Sequence, residues 1–504
     1  MKTQMKLIFT LLILFSVSKI HAQTPIIEEV FTDVSVQTGV NYAQNYTILT
    51  GSPNLQDLSM DVYTPTGDAS TDRPLMILMH AGSFIPKGLN TLPLGDKGDS
   101  TIVEMCKQYA KRGWTCASIG YRLGWTPTAT DQEDRAKTII QAVYRANQDA
   151  RAAIRFFRED AENGNQFGID PYRVAIGGSN SGGYVALTVG SLNKPEELEL
   201  FKFLDDNGAP FVDPDITGGI WGEGGASGVN RYNTPGYSSA VQIVKNLGGA
   251  VGDSSWIESG EAPIVAFHGV GDPLTPYGTQ VVIVASTGDA IVEVSGSLDV
   301  IGKSDEVGNQ DIFYAANFTD DYTLAAQAKT ALEGLFPFNG VGFEPWAWYD
   351  CGHPSAAAPT GAPEDGCGSA ANPMQTKAMA LNYIDTIMNY FAPRAVVAFE
   401  NIDSVAVETA DPIISSVRNL NVKQFDFNTY PNPASDYLIL ENNNSEIQIS
   451  NVGVYALDGT LVKSSPVNGN SRLEIGISDL PKGIYVLRVE VKNKGVDYHK
   501  FIKQ

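Results

Sequence analysis

Short apolar runs alternate with amphipathic stretches over the first part of the chain. Residues 27–63 alternate apolar and polar positions, which predicts antiparallel strands that open a sheet. Residues 74–80 are almost continuously apolar, as is typical of a strand buried on both faces of a parallel sheet. Helical spacing over 101–112, a second apolar run over 114–121 and helical spacing over 131–161 follow. Strands separated by helices in this way predict right-handed crossovers and a mostly parallel α/β sheet.

The centre of this pattern is a short β-favouring run, Val174–Ile176, that breaks into small residues before a helical pattern begins at Val185. The break is Gly-Gly-Ser-Asn-Ser-Gly-Gly over 177–183. A strand, a glycine-flanked small residue and a helix in that order predict a nucleophile elbow. The apex of such a turn needs a strained backbone with positive φ, and small neighbours let the strand and the helix approach each other.

Together with Asp170–Arg173 (Asp-Pro-Tyr-Arg), this turn resembles the α/β-hydrolase superfamily, in particular its secreted carboxylesterase and feruloyl/acetyl-xylan esterase-like branch. The resemblance implies an eight-stranded, mostly parallel sheet flanked by helices. The branch usually has Gly-x-Ser-x-Gly-Gly at the elbow, and counting forward from Asp170 puts Asn180 at the apex. An amide has no ionisable proton and is not a useful nucleophile for acyl transfer. Asn does tolerate positive φ, so it suits the apex sterically.

Two other registers place a serine at the apex. Ser181 would be the apex with Ser179 two residues before it and Gly183 two residues after it. Ser179 would be the apex with Gly177 before it, although Ser181 would then stand where glycine is favoured. The sequence leaves Asn180, Ser181 and Ser179 open as the nucleophile position.

The stretch His80–Phe84 resembles the oxyanion loop of this branch. Such a loop presents backbone N–H groups to a developing oxyanion, so small residues are needed where the substrate approaches. The resemblance implies the N–H of Gly82 or Ser83 as one donor, and the N–H of the residue after the apex as the other. His80 is expected to brace the loop.

The stretch His268–Tyr277 resembles the segment that carries the triad acid, and the resemblance implies Asp272 for that role. A carboxylate there would fix a histidine tautomer and stabilise the imidazolium. His353 is the histidine that lies downstream of Asp272 within the first domain. The order apex, Asp272, His353 therefore fits the hydrolase order.

The same resemblance implies the sixth, seventh and eighth strands of the sheet at 216–226, 263–268 and 345–349. The connection over 278–335 is longer than usual. Its alternating Val/Ile segments and its helical spacing over 321–335 predict an inserted β-hairpin and a helix. We expect this insertion to form a cap that shapes access to the site.

Residues 1–22 are typical of a secretory signal peptide, because two lysines precede an apolar run over 7–17 and a small residue stands at Ala22. No later segment has the unbroken apolar length of a transmembrane helix. The net charge is −22, and its scattered distribution favours solubility outside the cell. No basic stripe is present, which excludes nucleic acid and an anionic membrane as expected partners.

Four cysteines in an exported chain can pair. Cys351 and Cys367 bracket a Gly/Ala/Pro-rich loop, and we expect a bridge there. Cys106 and Cys116 could form a second bridge or could be packed as apolar side chains, and the sequence does not decide between these. No metal-ligand spacing and no phosphate-cradling loop is found, so neither a metal nor another cofactor is expected.

The C-terminal residues 425–504 carry short alternating strands and turns, which predict a small all-β sandwich. Residues 394–424 are expected to be a linker. The phrases Tyr430–Pro433, Asp436–Leu440 and Leu480–Leu487, in that order, resemble the C-terminal sorting domain of type IX secretion substrates in Bacteroidetes-like bacteria. The resemblance implies the type IX secretion machinery as a partner, and release from the cell or attachment to its surface.

Two functions are expected for the first domain, over 23–393. One is a secreted or cell-surface carboxylic ester hydrolase of Ser-His-Asp type, acting by resemblance on acyl or feruloyl esters of polysaccharide. The alternative is a catalytically inactive hydrolase-fold protein, with Asn180 at the nucleophile position, that binds a glycan or an ester without turnover.

Overall fold

A computed structural model of the chain describes most of its two predicted domains. The described residues are 25–49, 53–90, 92–226, 228–354, 356–357, 366–369, 372–411, 427–444, 448–456, 461–465, 467, 472–492 and 495–504. The predicted signal peptide over 1–22 and residues 412–424 of the predicted linker lie outside them.

The first domain is organised around one large sheet. In chain order its strands and those of an inserted hairpin are β1 (Val34–Thr47), β2 (Asn54–Pro65), β3 (Arg73–Met79), β4 (Thr115–Ile119), β5 (Ile169–Ser179), β6 (Ile243–Leu247), β7 (Ile264–Gly269), β8 (Thr279–Ile283), β9 (Ala290–Ser295) and β10 (Leu335–Phe338). The sheet has eight strands in the order β1-β2-β4-β3-β5-β6-β7-β10. β2 pairs antiparallel with β1 and β4, and the remaining pairs are parallel. The predicted eight-stranded, mostly parallel α/β sheet is confirmed.

Helices cover both faces of this sheet. They are α1 (Ser100–Lys111), α2 (Gln132–Glu162), α3 (Ser181–Ser191), α4 (Pro214–Thr217), α5 (Ser297–Glu306), α6 (Asp311–Ala316), α7 (Asp321–Gln327), α8 (Lys377–Glu400) and α9 (Ser404–Glu408). One hydrophobic core contains buried side chains of α2 and α3, and a second contains those of α1 and α8. The helices predicted over 101–112 and 131–161 are confirmed as α1 and α2. Asp131 caps α2 by accepting a hydrogen bond from the N–H of Glu133 at 2.7 Å.

Two strand assignments were wrong. The stretch 216–226 forms the end of α4 and a series of turns, with Gly218, Gly222 and Gly224 at positive φ, and the sixth strand is β6. A strand cannot continue through left-handed residues, so this glycine-rich stretch leaves the sheet. The eighth strand is β10 and not 345–349. The segment that follows the eighth strand therefore begins at residue 339, well before His353.

The predicted inserted hairpin is confirmed as the two-stranded sheet of β8 and β9. It packs on the start of α2, where Gln132 and Arg135 donate hydrogen bonds to the carbonyls of Ile291 and Ala290, each at 3.1 Å. α5, α6 and α7 complete the connection from β7 to β10. The helix predicted over 321–335 ends earlier, at Gln327, because Leu335 already begins β10.

The end of the first domain lies further along the chain than the predicted boundary at 393. α8 continues through Arg394, which is fully buried, to Glu400. Further on, the carboxylate of Asp411 pairs with Arg155 of α2 at 2.7 Å, and both side chains are buried. Residues 394–411 thus pack with the first domain, and the prediction that they form a linker was wrong. Their apolar positions in α8 fill the core under the sheet.

A small three-stranded sheet, β11 (Ala356–Ala357), β12 (Cys367–Ser369) and β13 (Asn372–Thr376), precedes α8. Cys351 and Cys367 form a disulfide, which confirms the predicted bridge. Cys106 and Cys116 are free and buried, with their Sγ atoms 3.0 Å apart.

The C-terminal domain contains β14 (Phe427–Tyr430), β15 (Tyr437–Asn442), β16 (Ile449–Ala456), β17 (Leu461–Ser465), β18 (Arg472–Gly476), β19 (Gly483–Val491) and β20 (Gly495–Lys503). β14, β15 and β18 form one antiparallel sheet, and the other four strands form a second. Apolar side chains from both sheets share a separate core. The predicted all-β sandwich is confirmed. Among the helices of the described residues, none combines the length and the apolar character that crossing a membrane requires.

Candidate functional site

The elbow lies between β5 and α3, and Asn180 stands at its apex. Asn180 has φ +48° and ψ −112°, whereas neither Ser179 nor Ser181 has a positive φ. A Cβ on Gly178 would lie 2.2 Å from the backbone carbon of Gly182, and a Cβ on Gly182 would lie 2.3 Å from the carbonyl oxygen of Met79. The positions two residues before and two residues after Asn180 are therefore closed to a Cβ by backbone atoms. Gly177 and Gly183 are crowded as well, so the positive φ of Asn180 is what identifies the apex. Of the three registers that the sequence left open, this is the geometry of the Asn180 register.

The side chain of Asn180 is held by two hydrogen bonds. Its Oδ1 accepts from the backbone N–H of Ser181 at 2.9 Å, and its Nδ2 donates to Oγ1 of Thr275 at 3.1 Å. In α/β-hydrolases the N–H that follows the apex is one of the two oxyanion donors. At this elbow that N–H, of Ser181, already donates its hydrogen bond to the side-chain amide oxygen of Asn180.

The two flanking serines make contacts on different sides of the elbow. The hydroxyl of Ser181 lies 3.3 Å from the hydroxyl of Tyr121, which itself donates to the carbonyl of His80 at 2.8 Å. Ser179 donates its hydroxyl proton to Oε1 of Glu344 at 2.5 Å and accepts from the indole N–H of Trp346 at 2.8 Å. Within the described residues, neither serine hydroxyl has a histidine as its hydrogen-bond partner.

The loop after β3 has an unusual backbone. Gly82, Ser83 and Phe84 follow one another with φ of +116°, +55° and +58°. The carbonyls of Gly82 and Ser83 accept hydrogen bonds from Ile85 N–H at 3.0 Å and from the indole of Trp125 at 2.7 Å. The N–H groups of Gly82 and Ser83 have no acceptor among the described residues. They remain available as donors, which is the geometry expected of an oxyanion loop.

His80 lies beneath this loop and is buried. Its Nδ1 is 2.6 Å from the carbonyl oxygen of Ala81, and its ring stacks on Tyr121 with centroids 4.5 Å apart. Burial lowers the pKa of His80 to about 4. The imidazole is therefore neutral at physiological pH, and these contacts give it the bracing role expected from the sequence.

Asp272 lies in the loop after β7, as the sequence suggested. Its Oδ1 accepts hydrogen bonds from the N–H groups of Leu274 and Thr275 at 2.8 and 3.0 Å. Burial raises the pKa of Asp272 to about 6, and the two backbone hydrogen bonds oppose that shift. Thr275 also accepts from Asn180, so the acid loop and the apex are joined through one residue. In the part of the chain that the structure describes, the hydrogen bonds of Asp272 are all to backbone groups.

His353 lies in a turn beside the disulfide and is half-buried. Its backbone N–H donates to the carbonyl of Asp350 at 3.1 Å, and its carbonyl accepts from Ala356. The described contacts therefore bring together Asn180 and the loop of Asp272, and do not bring the carboxylate of Asp272 to His353. The role of His353 stays a prediction.

Glu344 is the site residue that sequence reasoning missed. It lies in the loop after β10, has φ +38°, and is 3% exposed. Oε1 accepts from Ser179, whereas Oε2 is buried without a partner among the described residues. Burial, with the nearby charges of Asp272 and Asp99, raises the pKa of Glu344 to about 8, and the hydrogen bond from Ser179 opposes this. This carboxyl is therefore mostly protonated at neutral pH.

Among the described residues, no three His, Cys, Asp or Glu side chains converge in a way that would hold a metal ion. The acidic side chains near the elbow have in common that burial raises their pKa. Burial raises the pKa of Asp99 to about 6, as it does for Asp272. The site is a cluster of desolvated carboxyl groups around a backbone donor loop.

Comparisons with known proteins agree with both resemblances seen in the sequence. Residues 60–211 match the family model BD-FAE, and residues 428–504 match the secretion system C-terminal sorting domain. No curated protein matches the chain. The eight-stranded sheet with helices on both faces is that of the α/β-hydrolase fold, and residues 60–211 within it are the part that matches the BD-FAE model. The C-terminal domain is a type IX sorting domain, which directs the protein to the outside of the cell or to its surface.

Solved structures to which the chain is similar include three of esterases. Thermogutta terrifontis esterase 2 phosphorylated by paraoxon is 16% identical, with 62% of this chain and 85% of that chain covered and a TM-score of 0.32. The propionate-bound form of the esterase from the same Planctomycetes species is 15% identical, with 73% and 96% covered and a TM-score of 0.35. A truncated carbohydrate esterase from gut microbiota is 15% identical, with 74% and 100% covered and a TM-score of 0.35.

Proposed function

We propose that the first domain binds an ester-bearing ligand outside the cell without forming a serine acyl-enzyme. The observation that carries this proposal is the position of Asn180 at the positive-φ apex between Gly178 and Gly182. Acyl transfer at an elbow needs a nucleophile there, and a carboxamide does not supply one.

The contacts of the two neighbouring serines support the same proposal. A nucleophilic serine needs a base within hydrogen-bond reach. Ser181 instead faces a tyrosine hydroxyl, and Ser179 is tied to Glu344 and Trp346. Glu344 is mostly protonated at neutral pH, so it is a poor acceptor for the proton of Ser179.

Binding of an ester carbonyl is still compatible with this site. The N–H of Ser181 donates to the side chain of Asn180, but the N–H groups of Gly82 and Ser83 remain available as donors. A neutral carbonyl oxygen needs fewer donors than an oxyanion does. The loop can therefore hold the ground state of an ester while the site lacks the means to attack it.

We propose the class of ligand from the similarity of the first domain to a known family. The match of residues 60–211 to BD-FAE favours acyl or feruloyl esters on polysaccharide. The sorting domain sends the chain to the compartment where such polymers are found. We therefore propose esterified plant-type polysaccharide or its oligosaccharides as the ligand.

A serine ester hydrolase is the second candidate, because the esterase-like match over 60–211 includes the elbow itself. In that case Ser181 or Ser179 would be the nucleophile, His353 the base and Asp272 its orienting acid. The serine would first have to leave its contact with Tyr121 or Glu344.

Two measurements on the full chain test these candidates. Hydrolysis of p-nitrophenyl acetate should show no burst and no turnover above the buffer rate in the wild type. Calorimetry should show binding of an acetylated or feruloylated xylo-oligosaccharide and weaker binding of the same oligosaccharide after chemical de-esterification. A wild-type burst that Ser181→Ala or Ser179→Ala abolishes, and Asn180→Ala does not, would establish the second candidate instead. Equal affinity for both oligosaccharides would contradict recognition of the ester.

A further inference from the structure

A cavity of about 190 Å³ lies beside the elbow, on the side of Ser179. Its walls come from the oxyanion loop, from the N-terminus of α1 and from the loop after β10. The residues that line it include Ala81, Ser179, Glu344, Ala347, Tyr349 and Asp350. This volume corresponds to about six water molecules. It suits a ligand of one small ring and is too small for a polymer segment.

An incompletely bonded carboxyl group lines this cavity. Oε1 of Glu344 accepts the proton of Ser179, and Oε2 is buried without a partner in the described part of the chain. A buried polar oxygen that is left without a hydrogen bond destabilises the folded protein. Ser179 has one hydroxyl proton, which it donates to Oε1, so it does not also supply a donor to Oε2. A ligand hydroxyl in the cavity would complete the bonding of Glu344.

The N-terminus of α1 supplies backbone donors to the same cavity. Asp99 precedes the helix, but its side chain does not cap it and instead accepts from the N–H of Gly95 at 2.8 Å and pairs with Lys87 at 3.3 Å. The first N–H groups of a helix have no partner within the helix. Residues 100–102 line the cavity, and their N–H groups have no acceptor among the described residues.

The charges around the cavity decide which class of ligand fits. Lys87 is already paired with Asp96 at 3.2 Å and with Asp99. An anion would lie near the carboxyl groups of Asp99 and Asp350, which line the cavity. A cation would face the positive end of α1. A neutral molecule with several hydroxyl groups can both donate to oxygens and accept from N–H groups without either cost.

We propose that this cavity binds a small neutral polyhydroxylated molecule of the size of one sugar ring, held between Glu344 and the N-terminus of α1. This goes beyond the proposed function, since it needs neither an ester group nor Asn180. The wall formed by Ala347 and Tyr349 gives the ring an apolar contact, as is usual for sugar sites of mixed polarity.

Saturation-transfer NMR and calorimetry with the full chain test this proposal, using xylose, arabinose, glucose and galactose as probes, and acetate and inorganic phosphate as anionic probes. We expect at least one of the sugars to bind and neither anion to compete with it. Glu344→Leu should weaken the binding about tenfold, because the ligand loses its buried partner. Ala347→Leu, which fills the cavity, should abolish it. Glu344→Gln, which keeps both size and polarity, should stay within about threefold of the wild type.

A second pair of variants is Lys87→Met with Lys111→Met as its matched control. The side chains of Lys87 and Lys111 are 38% and 35% exposed, and each lysine forms an ion pair. Lys87→Met should weaken sugar binding, since Lys87 lines the cavity, and Lys111→Met should not. Circular dichroism confirms that each variant is folded. The proposal is overturned if no sugar binds, if an anion binds in its place, or if sugar binding survives both Ala347→Leu and Glu344→Leu unchanged.

Discussion

The side-chain oxygen of Asn180 lies 2.9 Å from the backbone nitrogen of Ser181 and accepts its hydrogen bond. In an active elbow that N–H faces the substrate oxygen, and the apex side chain attacks the carbonyl carbon. Here one residue removes both functions, because it lacks a nucleophilic hydroxyl and because it satisfies the donor. The surrounding glycines and the oxyanion loop nevertheless keep the backbone of a hydrolase elbow.

The conformation at the apex predicts an unusual ranking of two substitutions. Asn180→Gly should be more stable than Asn180→Ala by about 1 kcal/mol, since alanine resists the φ of +48° that glycine adopts freely. Urea denaturation of the two variants measures the difference. Asn207 is the control, because it lies in an exposed turn and has no positive φ, so alanine should be at least as stable as glycine there. The same ranking at both positions would contradict the apex assignment.

Close packing of the elbow against β3 predicts a large effect at Gly182. Gly182→Ala should cost more than about 3 kcal/mol or prevent folding, because its Cβ would lie 2.3 Å from the carbonyl oxygen of Met79. Gly302 lies inside α5 with open space around the position of a Cβ. Gly302→Ala should therefore be neutral or stabilising by up to about 1 kcal/mol. Thermal unfolding of the pair checks this, and similar losses in both would argue against the tight elbow.

The buried carboxyl of Glu344 predicts a defined pH dependence of stability. Its pKa in the folded state, about 8, is higher than the ordinary 4.5, so the folded state binds the proton more tightly. The wild type therefore loses stability relative to Glu344→Gln as the pH rises from about 4.5 to about 8, by a total on the order of 5 kcal/mol. Denaturation at pH 5, 6.5 and 8 measures the difference. Glu306→Gln, at a side chain that is 69% exposed, serves as the control and should show no such trend.

The buried ion pair of Asp411 with Arg155 predicts that residues beyond α8 contribute to the stability of the first domain. Asp411→Asn should cost about 3 kcal/mol, because it leaves a buried guanidinium without its charge partner. Asp170→Asn removes a half-buried pair with Arg173 and should cost less than about 1 kcal/mol. Urea midpoints of the two variants give the comparison. Equal effects would mean that the segment up to 411 contributes little to the domain.

Much of the fold could be predicted from the sequence because it depends on patterns that are local. The apolar run of β3, the amphipathic spacing of α2 and the turn phrases of the C-terminal sandwich each determine one element. The errors came where the pattern was ambiguous. The stretch 216–226 was assigned to a strand by resemblance, but its glycines adopt positive φ and turn the chain away from the sheet. The four residues of β10 are too short to stand out before a longer aromatic segment.

The candidate site was only partly predictable for the same reason. Asp272 and the elbow follow strands that the sequence located, so their places were found. Placing the eighth strand at 345–349 directed attention to His353 and away from Glu344. No local signal marks Glu344, because its role follows from burial and from contacts with Ser179 and Trp346, which lie far apart in the chain. A correct eighth strand would have placed Glu344 in the loop that follows it.

The most direct test of the central claim is the reaction of the full chain with a fluorophosphonate, which attaches covalently to activated serines. Intact-mass and peptide mass spectrometry should find the wild type unmodified over residues 179–181, because the apex is Asn180 and both neighbouring hydroxyls are engaged elsewhere. A stoichiometric adduct on Ser179 or Ser181 would contradict the account and show that a serine of this elbow is an active nucleophile.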